Sequence, residues 1–318
     1  MAQISCGSNN PHIAVLIPCY NEAMTIAKVI ADVQHVLPEA DVIICDNNST
    51  DNTSIIAQKA GAQVLSVPQR GKGNVLRTLF RNITADCYLI IDGDDTYSVE
   101  QMPYMAQMVL KEGVDMVIGD RISSSYLKVN RRPYHNNGNL LVRFLINKLF
   151  KSNVPDILSG MRAFSPLFVK NFPGLTPGFE IETEMTIYAL DNNFTLRSVP
   201  IDYHNRPEGS ISKLNTFSDG FKVIKTIFTL FIRYKPLLFF SMLAIIVFSI
   251  GLIGSVPVFI EYFATGLVPR FPTLFVCGFL IVLALLLFVC GLILEIGNTH
   301  HKQLLEIMIK QQKYQQNH

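Results

Sequence analysis

The sequence contains no tryptophan and no C-x-x-C pair. Charged residues make up only 16% of it, and the formal net charge is +2. A chain so weakly basic, with no cationic stripe in its soluble part, gives nucleic-acid binding no footing. Six cysteines are present, Cys6, Cys19, Cys45, Cys87, Cys277 and Cys290, scattered and several of them in apolar runs. That spacing excludes a disulfide frame and a zinc site, and it fits reduced, buried thiols of a cytoplasmic protein. The first residues, MAQISCGSNNPHIAVLIPCYNE, lack a basic region leading into a long apolar one, so no secretory signal is expected. They carry no myristoylation signal either.

Apolar residues are in excess: 49% of the chain is hydrophobic and the mean hydropathy is +0.29. The excess is local. Leu237 to Ile260 and Phe271 to Leu294 carry no charge. Each run is longer than the roughly 20 residues that cross a bilayer as a helix. Joined by EYFATGLVPR, they are expected to form a transmembrane hairpin. Lys222, Lys225, Arg233 and Lys235 precede it, and His300, His301, Lys302, Lys310 and Lys313 follow it. The joining loop has only Arg270, offset by Glu261. The positive-inside bias therefore places the N-terminal domain and both termini on the cytoplasmic side of the cytoplasmic (inner) membrane. Gly251 and Gly254 suggest close helix packing between protomers, hence a homo-oligomer.

Up to residue 120, short apolar runs alternate with segments of helical periodicity. The pattern predicts an α/β domain whose mostly parallel sheet carries helices on both faces. Four parts are expected: a cytoplasmic catalytic domain over 1–215, an interfacial amphipathic helix over 216–235, the hairpin over 236–298 and a polar cytoplasmic tail over 299–318. The stretch TFSDGFKVIKTIFTLFIRY, apolar with interspersed cations and next to a span, reads as a helix lying in the membrane interface. Three polar clusters, PCYNE, DNNSTDNT and DGDD, each follow a strand-like run. Ligands of open α/β sheets bind beyond the carboxyl ends of the strands. The middle cluster is equally open to a plainer reading, as turn and N-cap chemistry.

In DGDD, Asp92, Asp94 and Asp95 crowd together, and like charges this close raise each other's cost of ionising. A cation relieves that cost. Mg²⁺ or Mn²⁺ takes one or two carboxylates and completes its shell with substrate phosphates and water. Such a metal stabilises charge developing on a departing diphosphate. Arg121, Arg131, Arg132, Arg162, Arg206 and Lys213 are the candidate phosphate-binding cations, since Arg grips phosphate with two parallel bonds. Of Glu180, Glu182 and Glu184, one is expected to face the site and the others to lie on a solvated face.

The motifs VLIPCYNE, DNNSTDNT, RGKGNVL and DGDD, in that order, resemble glycosyltransferase family 2. DILSGMRAF, GFEIETEM and RPEGSISKLNTFSDG resemble its polyprenyl-phosphate branch, which includes dolichyl-phosphate mannose synthases and bacterial undecaprenyl-phosphate glycosyltransferases. The likeness covers residues 12 to 235. It implies a GT-A, Rossmann-like fold, a nucleoside-diphosphate sugar as donor, UDP foremost, and inverting transfer. Residue by residue, it implies that Pro18, Asn21 and Glu22 line the nucleoside pocket, with Asp46 and Asn48 at the base or ribose. Lys72 approaches the nucleotide. Asp92 and Asp94, flanking Gly93, hold the donor and its metal. Gly93 replaces the commoner middle residue of that motif, a change expected to matter little. Arg206 and Lys213 lie on a segment expected to close over the diphosphate. Arg121, Arg131, Arg132 and Arg162 are expected on the acceptor phosphate, Arg121 and Arg162 foremost. Asp156 is either the catalytic base or an orienting residue for Arg162 or Ser159.

The expected activity is transfer of a sugar to polyprenyl (undecaprenyl) phosphate at the cytoplasmic membrane face, for cell-envelope glycans. Two alternatives stand beside it. A processive polysaccharide synthase of this fold carries Q-x-x-R-W, which a chain without tryptophan lacks. A non-catalytic membrane scaffold would have no need of Lys72, Asp92 and Asp94.

Overall fold

The computed structural model describes residues 11–123, 133–178, 180–207, 225, 228–229 and 231–316, with the backbone alone at 133–139 and 312–316. The chain divides into two compact units, Met1–Val223 and Ile224–His318.

The first unit is built on a seven-stranded sheet in the order β3-β2-β1-β4-β6-β5-β7. Its strands are β1 Ile13–Cys19, β2 Asp41–Asp46, β3 Gln63–Ser66, β4 Cys87–Ile90, β5 Met116–Asp120, β6 Arg162–Phe164 and β7 Leu196–Pro200. The helices between them are α1 Ile26–Val36, α2 Thr53–Lys59, α3 Lys72–Asn82, α4 Met102–Glu112, α5 Pro133–Phe150, α6 Pro166–Asn171 and α7 Ile181–Asp191. The central strands are buried almost throughout, as continuous apolar runs covered on both faces must be. β4 shows the division of labour. Cys87 and Leu89 join the core that α1 and α4 cover, with Val29, Ile30, Val33, Met102 and Met105. Tyr88 points to the other face, where Phe80, Phe164, Phe168, Phe172, Tyr188 and Phe194 stack edge-to-face or in parallel.

The sheet is mostly parallel, as expected, with one exception. β6 runs antiparallel to both β4 and β5. It has three residues, and its apolar pattern is too short to stand out in the sequence. Its insertion sets DILSGMRAF against the DGDD turn. A Cβ on Gly160 would collide with Asp92 Oδ2, so only glycine lets that backbone close on the carboxylate.

The second unit contains α8 Pro236–Thr265 and α9 Phe271–Gln316, both long and apolar enough to cross a membrane. Only 11% and 17% of their most apolar windows are buried, far less than a soluble core helix requires. A Cβ on Gly251 would lie 3.1 Å from Cys277 O, and one on Gly254 2.9 Å from Cys277 Sγ. These glycines therefore let α8 close on α9 within the hairpin. The polar stretch 299–316 continues α9 without a break. Most of the expected interfacial helix lies outside the described residues; Lys225, Phe228, Thr229 and 231–234 are helical.

Candidate active site

Three turns at the carboxyl ends of β1, β2 and β4 form the floor of the site. Each contains a non-glycine residue in the left-handed region: Asn21 (φ 53°), Asn48 (φ 62°) and Asp95 (φ 57°). Asn and Asp tolerate this region better than other side chains, because their short polar groups bond locally. The turns are tied to one another. Asn21 Oδ1 accepts from Thr50 N at 2.7 Å, and Asn21 N donates to Ser49 Oγ. Glu22 N donates to Thr53 Oγ1, and Thr25 Oγ1 donates to Gly93 O at 2.6 Å. Asp46 accepts from Ser49 N and Ser54 Oγ. Much of DNNSTDNT thus performs turn chemistry, and Asn21 is a lock between turns.

The three aspartates of DGDD have separate partners. Asp95 turns away to Lys28 on α1, at 2.6 Å. Asp92 Oδ1 meets Lys72 Nζ at 2.5 Å. Asp94 Oδ2 meets an Arg206 Nη2 at 2.5 Å, while its Oδ1 accepts from Thr96 Oγ1 at 2.6 Å. Burial, reinforced by the charge of Asp92, still holds the Asp94 carboxyl above its ordinary range. Gly93 matters more than expected. A Cβ there would lie 2.8 Å from Cys19 Sγ, so this chain's own cysteine requires the glycine.

Lys72, the middle residue of GKG, opens α3. Added Cβ atoms on Gly71 and Gly73 would strike the carbonyls of Pro177 and Thr176. The two glycines let segment 176–177 press onto the loop, and Gly73 N donates to Pro177 O at 2.9 Å. Lys72 Nζ bridges Asp92 and Glu182 Oε1, the latter at 2.6 Å. Burial alone would lower its pKa, but the charges of Asp92 and Glu182 outweigh burial and keep it a cation. Burial raises the Glu182 carboxyl above its usual range, against the opposing pull of Lys72. Glu182 is the residue of GFEIETEM that joins the site. Glu184 is buried rather than solvated, and accepts from Leu175 N, Thr176 N and Thr176 Oγ1.

Of the expected acceptor-phosphate group, Arg121 and Arg162 are engaged within the fold. Arg162 is fully buried. Its guanidinium donates to Ser159 O, Ile157 O and Thr186 Oγ1, so it holds the loop before β6. Burial lowers its pKa to about 10. Arg121 is paired bidentately with Asp156, donates to Tyr97 Oη and stacks over the Tyr97 and Tyr203 rings. Asp156 thus orients Arg121, neither Arg162 nor Ser159. Both its oxygens are engaged, by Arg121 and by Leu158 N. Arg131, Arg132 and Lys213 lie outside the described residues.

Two further residues escaped the sequence reading. Asn47 pins the GKG loop: its Nδ2 donates to Val67 O and Gln69 O, and its Oδ1 accepts from Gly71 N. Asn48, the expected neighbour of the nucleotide, is exposed. Tyr97 Oη accepts from Gly160 N at 2.9 Å and from Arg121, joining the DGDD and SGMR turns. Nothing marked Tyr97 in the sequence beyond its distance from DGDD.

Lys72 thus serves both Asp92 and Glu182, while Arg121 serves Asp156 and Arg206 serves Asp94. Among the described residues no group of three or more His, Cys, Asp or Glu is placed to hold a metal ion. Asp92 and Asp94 still suit a divalent cation that takes one or two carboxylates and fills its shell from a bound diphosphate and water. Burial and the charge of Asp92 raise the Asp94 carboxyl, and an added positive charge would oppose that rise.

The profile of glycosyl transferase family 2 matches residues 14–170. Glycosyltransferase AglJ of Haloferax volcanii is 33% identical over 234 residues, covering 72% of this chain and 75% of its own. A dolichyl-phosphate hexose transferase of the same organism is 28% identical over 215 residues, 68% of this chain and 92% of its own. Among solved structures, glucosyl-3-phosphoglycerate synthase of Mycobacterium tuberculosis, in complex with Mn²⁺, UDP-glucose and phosphoglyceric acid, aligns with a TM-score of 0.54 at 25% identity. That alignment covers 69% of this chain and 79% of the other.

Proposed function

The chain belongs to glycosyltransferase family 2, and from that membership we propose that it transfers a sugar from a nucleoside diphosphate, UDP foremost, to the phosphate of a polyprenyl lipid. The reaction takes place at the cytoplasmic membrane face and yields a lipid-phosphate-linked sugar for cell-envelope glycans. One observation carries this reading: Asp92 and Asp94, at the end of β4, are each held by a cation from a distant segment, Lys72 and Arg206. Such a cluster is poised to exchange partners with a diphosphate. The relative's name supports a lipid-phosphate acceptor, and the solved neighbour's title supports UDP and Mn²⁺. The two apolar helices bring the chain to the lipid.

The nucleoside lies against Pro18, Glu22 and Asp46 at the ends of β1 and β2. Asp92 and Asp94 are the residues that would hold Mg²⁺ or Mn²⁺, which when bound stabilises charge on the departing diphosphate. Arg206, with Lys213 further along the same segment, moves from carboxylate to diphosphate as the donor enters. Lys72 holds Asp92 and Glu182 in place. The acceptor phosphate oxygen attacks the anomeric carbon, its lone pair forms the new C–O bond, and the old bond's electrons leave with the diphosphate. Configuration inverts. A phosphate monoester has a second pKa near about 6, so the attacking oxygen needs little deprotonation. Positioning and charge compensation carry the catalysis. Arg131 and Arg132 take the acceptor phosphate, because Arg121 and Arg162 are committed internally.

The test is incubation of purified full-length protein with polyprenyl phosphate, Mg²⁺ or Mn²⁺ and a panel of sugar nucleotides. Nucleoside diphosphate release that requires both the lipid and one sugar nucleotide is the expected outcome. Release that ignores the lipid refutes the acceptor.

A further inference from the structure

A cavity of about 330 Å³ opens between α3 and α6, on the face of the sheet that Tyr88 occupies. Three cations line it: Arg77 and Arg81 from α3, and Lys170 from α6. Its apolar wall includes Phe80 and Phe172, which belong to the aromatic stack around Phe168. No Asp or Glu is among the described residues that line it. Like charges gathered round one space raise each other's cost of ionising, and a carboxylate or a bound anion relieves it.

Among the described residues the fold supplies no such partner. Neither Arg81 nor Lys170 pairs with a carboxylate there. Arg77 donates from Nε to Gly174 O at 2.6 Å and from Nη1 to Asn74 Oδ1 at 3.4 Å, both neutral acceptors. A guanidinium has further donors to offer a ligand. The active-site cations differ, since Lys72, Arg121 and Arg206 are each held by a carboxylate. The two places are also separate. Lys72 opens α3 and Arg81 lies in its last turn, so roughly 13 Å of helix lies between their backbones.

The chemistry of the lining selects the anion. A phosphate group carries close to two negative charges at neutral pH, which suits three cations better than the single charge of a carboxylate. Arginine also grips phosphate with parallel bonds. The volume lies at the lower end of small-molecule sites, which run from roughly 300 to 1,000 Å³. We infer that this cavity binds a phosphate group between Arg77, Arg81 and Lys170, with any organic body against Phe80 and Phe172. The site goes beyond sugar transfer and does not depend on that reading. Arg77 also holds Gly174 O, just before the Thr176 and Pro177 carbonyls that press onto the GKG loop. The phosphate therefore sits at the root of that segment.

Thermal melts of the purified full-length protein, in neutral detergent and metal-free buffer, test this. Inorganic phosphate and phenyl phosphate are the probes, against sodium chloride at matched ionic strength. The variants are Arg81→Gln with Lys170→Gln, both at exposed positions, and Arg206→Gln at the proposed diphosphate site. The inference expects phosphate to raise the melting temperature by about 3–6 °C at saturation. The rise should appear in wild type and in Arg206→Gln and vanish from the double variant. A larger rise with phenyl phosphate assigns the site to a phosphate ester, and equal rises assign it to the free anion. No rise beyond that of chloride overturns the inference. A rise lost only in Arg206→Gln places the anion at the diphosphate site and overturns it as well. An equal rise in the double variant reflects general exclusion of the salt from the surface and does the same. Should the double variant fail to fold, Lys170→Glu alone, which places a carboxylate at the cavity, should abolish the rise.

Discussion

Arg121 and Asp156 face each other through two parallel hydrogen bonds, Nε to Oδ2 at 2.7 Å and Nη2 to Oδ1 at 3.0 Å, with Asp156 only 1% exposed. Removing one partner leaves the other charge buried and uncompensated, which costs about 3–5 kcal/mol. Asp156→Asn is therefore expected to lower the melting temperature and the transfer rate together. The pair Arg121→Met with Asp156→Leu should recover much of the stability and none of the activity. Thermal melts beside initial rates check this. A rate lost at unchanged melting temperature in Asp156→Asn would restore Asp156 as a base.

Asp94 and Asp95 are adjacent yet serve different ends, the first toward Arg206 and the second toward Lys28. Asp94→Ala should reduce transfer on the order of a hundredfold or more, the scale of losing a group aimed at transition-state charge. Asp95→Asn, which keeps a side chain suited to a positive φ, should retain activity within a few-fold. Chelation should abolish wild-type transfer and Mn²⁺ should restore it, with no restoration in Asp94→Ala. Nucleoside diphosphate release measured on the three proteins decides it.

Those outcomes bear on how much of the molecule was legible in its sequence. Five strands and the helices between them followed from apolar periodicity, because long buried runs separated by polar turns leave a strong pattern. β6 did not, since three residues carry no period. Asp92 and Asp94 stood out as a carboxylate pair at a strand end and Lys72 through the family resemblance, and the fold joins Lys72 to Asp92. Arg162 was misjudged for a physical reason. An arginine after SGM suggests phosphate, but only the fold shows that Ser159 O, Ile157 O and Thr186 already take its donors. Glu182 differs from Glu184 only through the turn of α7 that aims one at Lys72 and the other at residues 175–176.

Lys72 joins Asp92 to Glu182, and its removal has a pH signature. Burial already raises the Glu182 carboxyl, and Lys72 is what opposes the rise. In Lys72→Met the carboxyl climbs further, so the folded state binds a proton that the unfolded chain has released. Stability then falls as pH rises, beginning in the ordinary carboxylate range and ending at the raised folded pKa. The variant should be less destabilised at pH 5 than at pH 8. Breaking the buried contact costs about 3–5 kcal/mol at the upper end. Denaturant melts of variant and wild type at both pH values check this. A penalty equal at both, or larger at pH 5, would show that Glu182 is not the group left uncompensated.

Gly93 and Cys19 give a test that involves no charge. An added methyl at Gly93 would lie 2.8 Å from Cys19 Sγ, and Gly93 is absent from the positive-φ residues, so its backbone suits alanine. Overpacking of this kind costs about 1–3 kcal/mol. Gly93→Ala should therefore destabilise wild type by that amount and displace the DGDD turn enough to slow transfer. Cys19→Ala removes the opposing sulfur, and Gly93→Ala in that background should cost little. The double-mutant cycle isolates the contact because the two changes meet at one point. Equal cost in both backgrounds would assign the requirement for glycine to Ile17 or Ile26, whose side chains lie 3.5 Å from the same position.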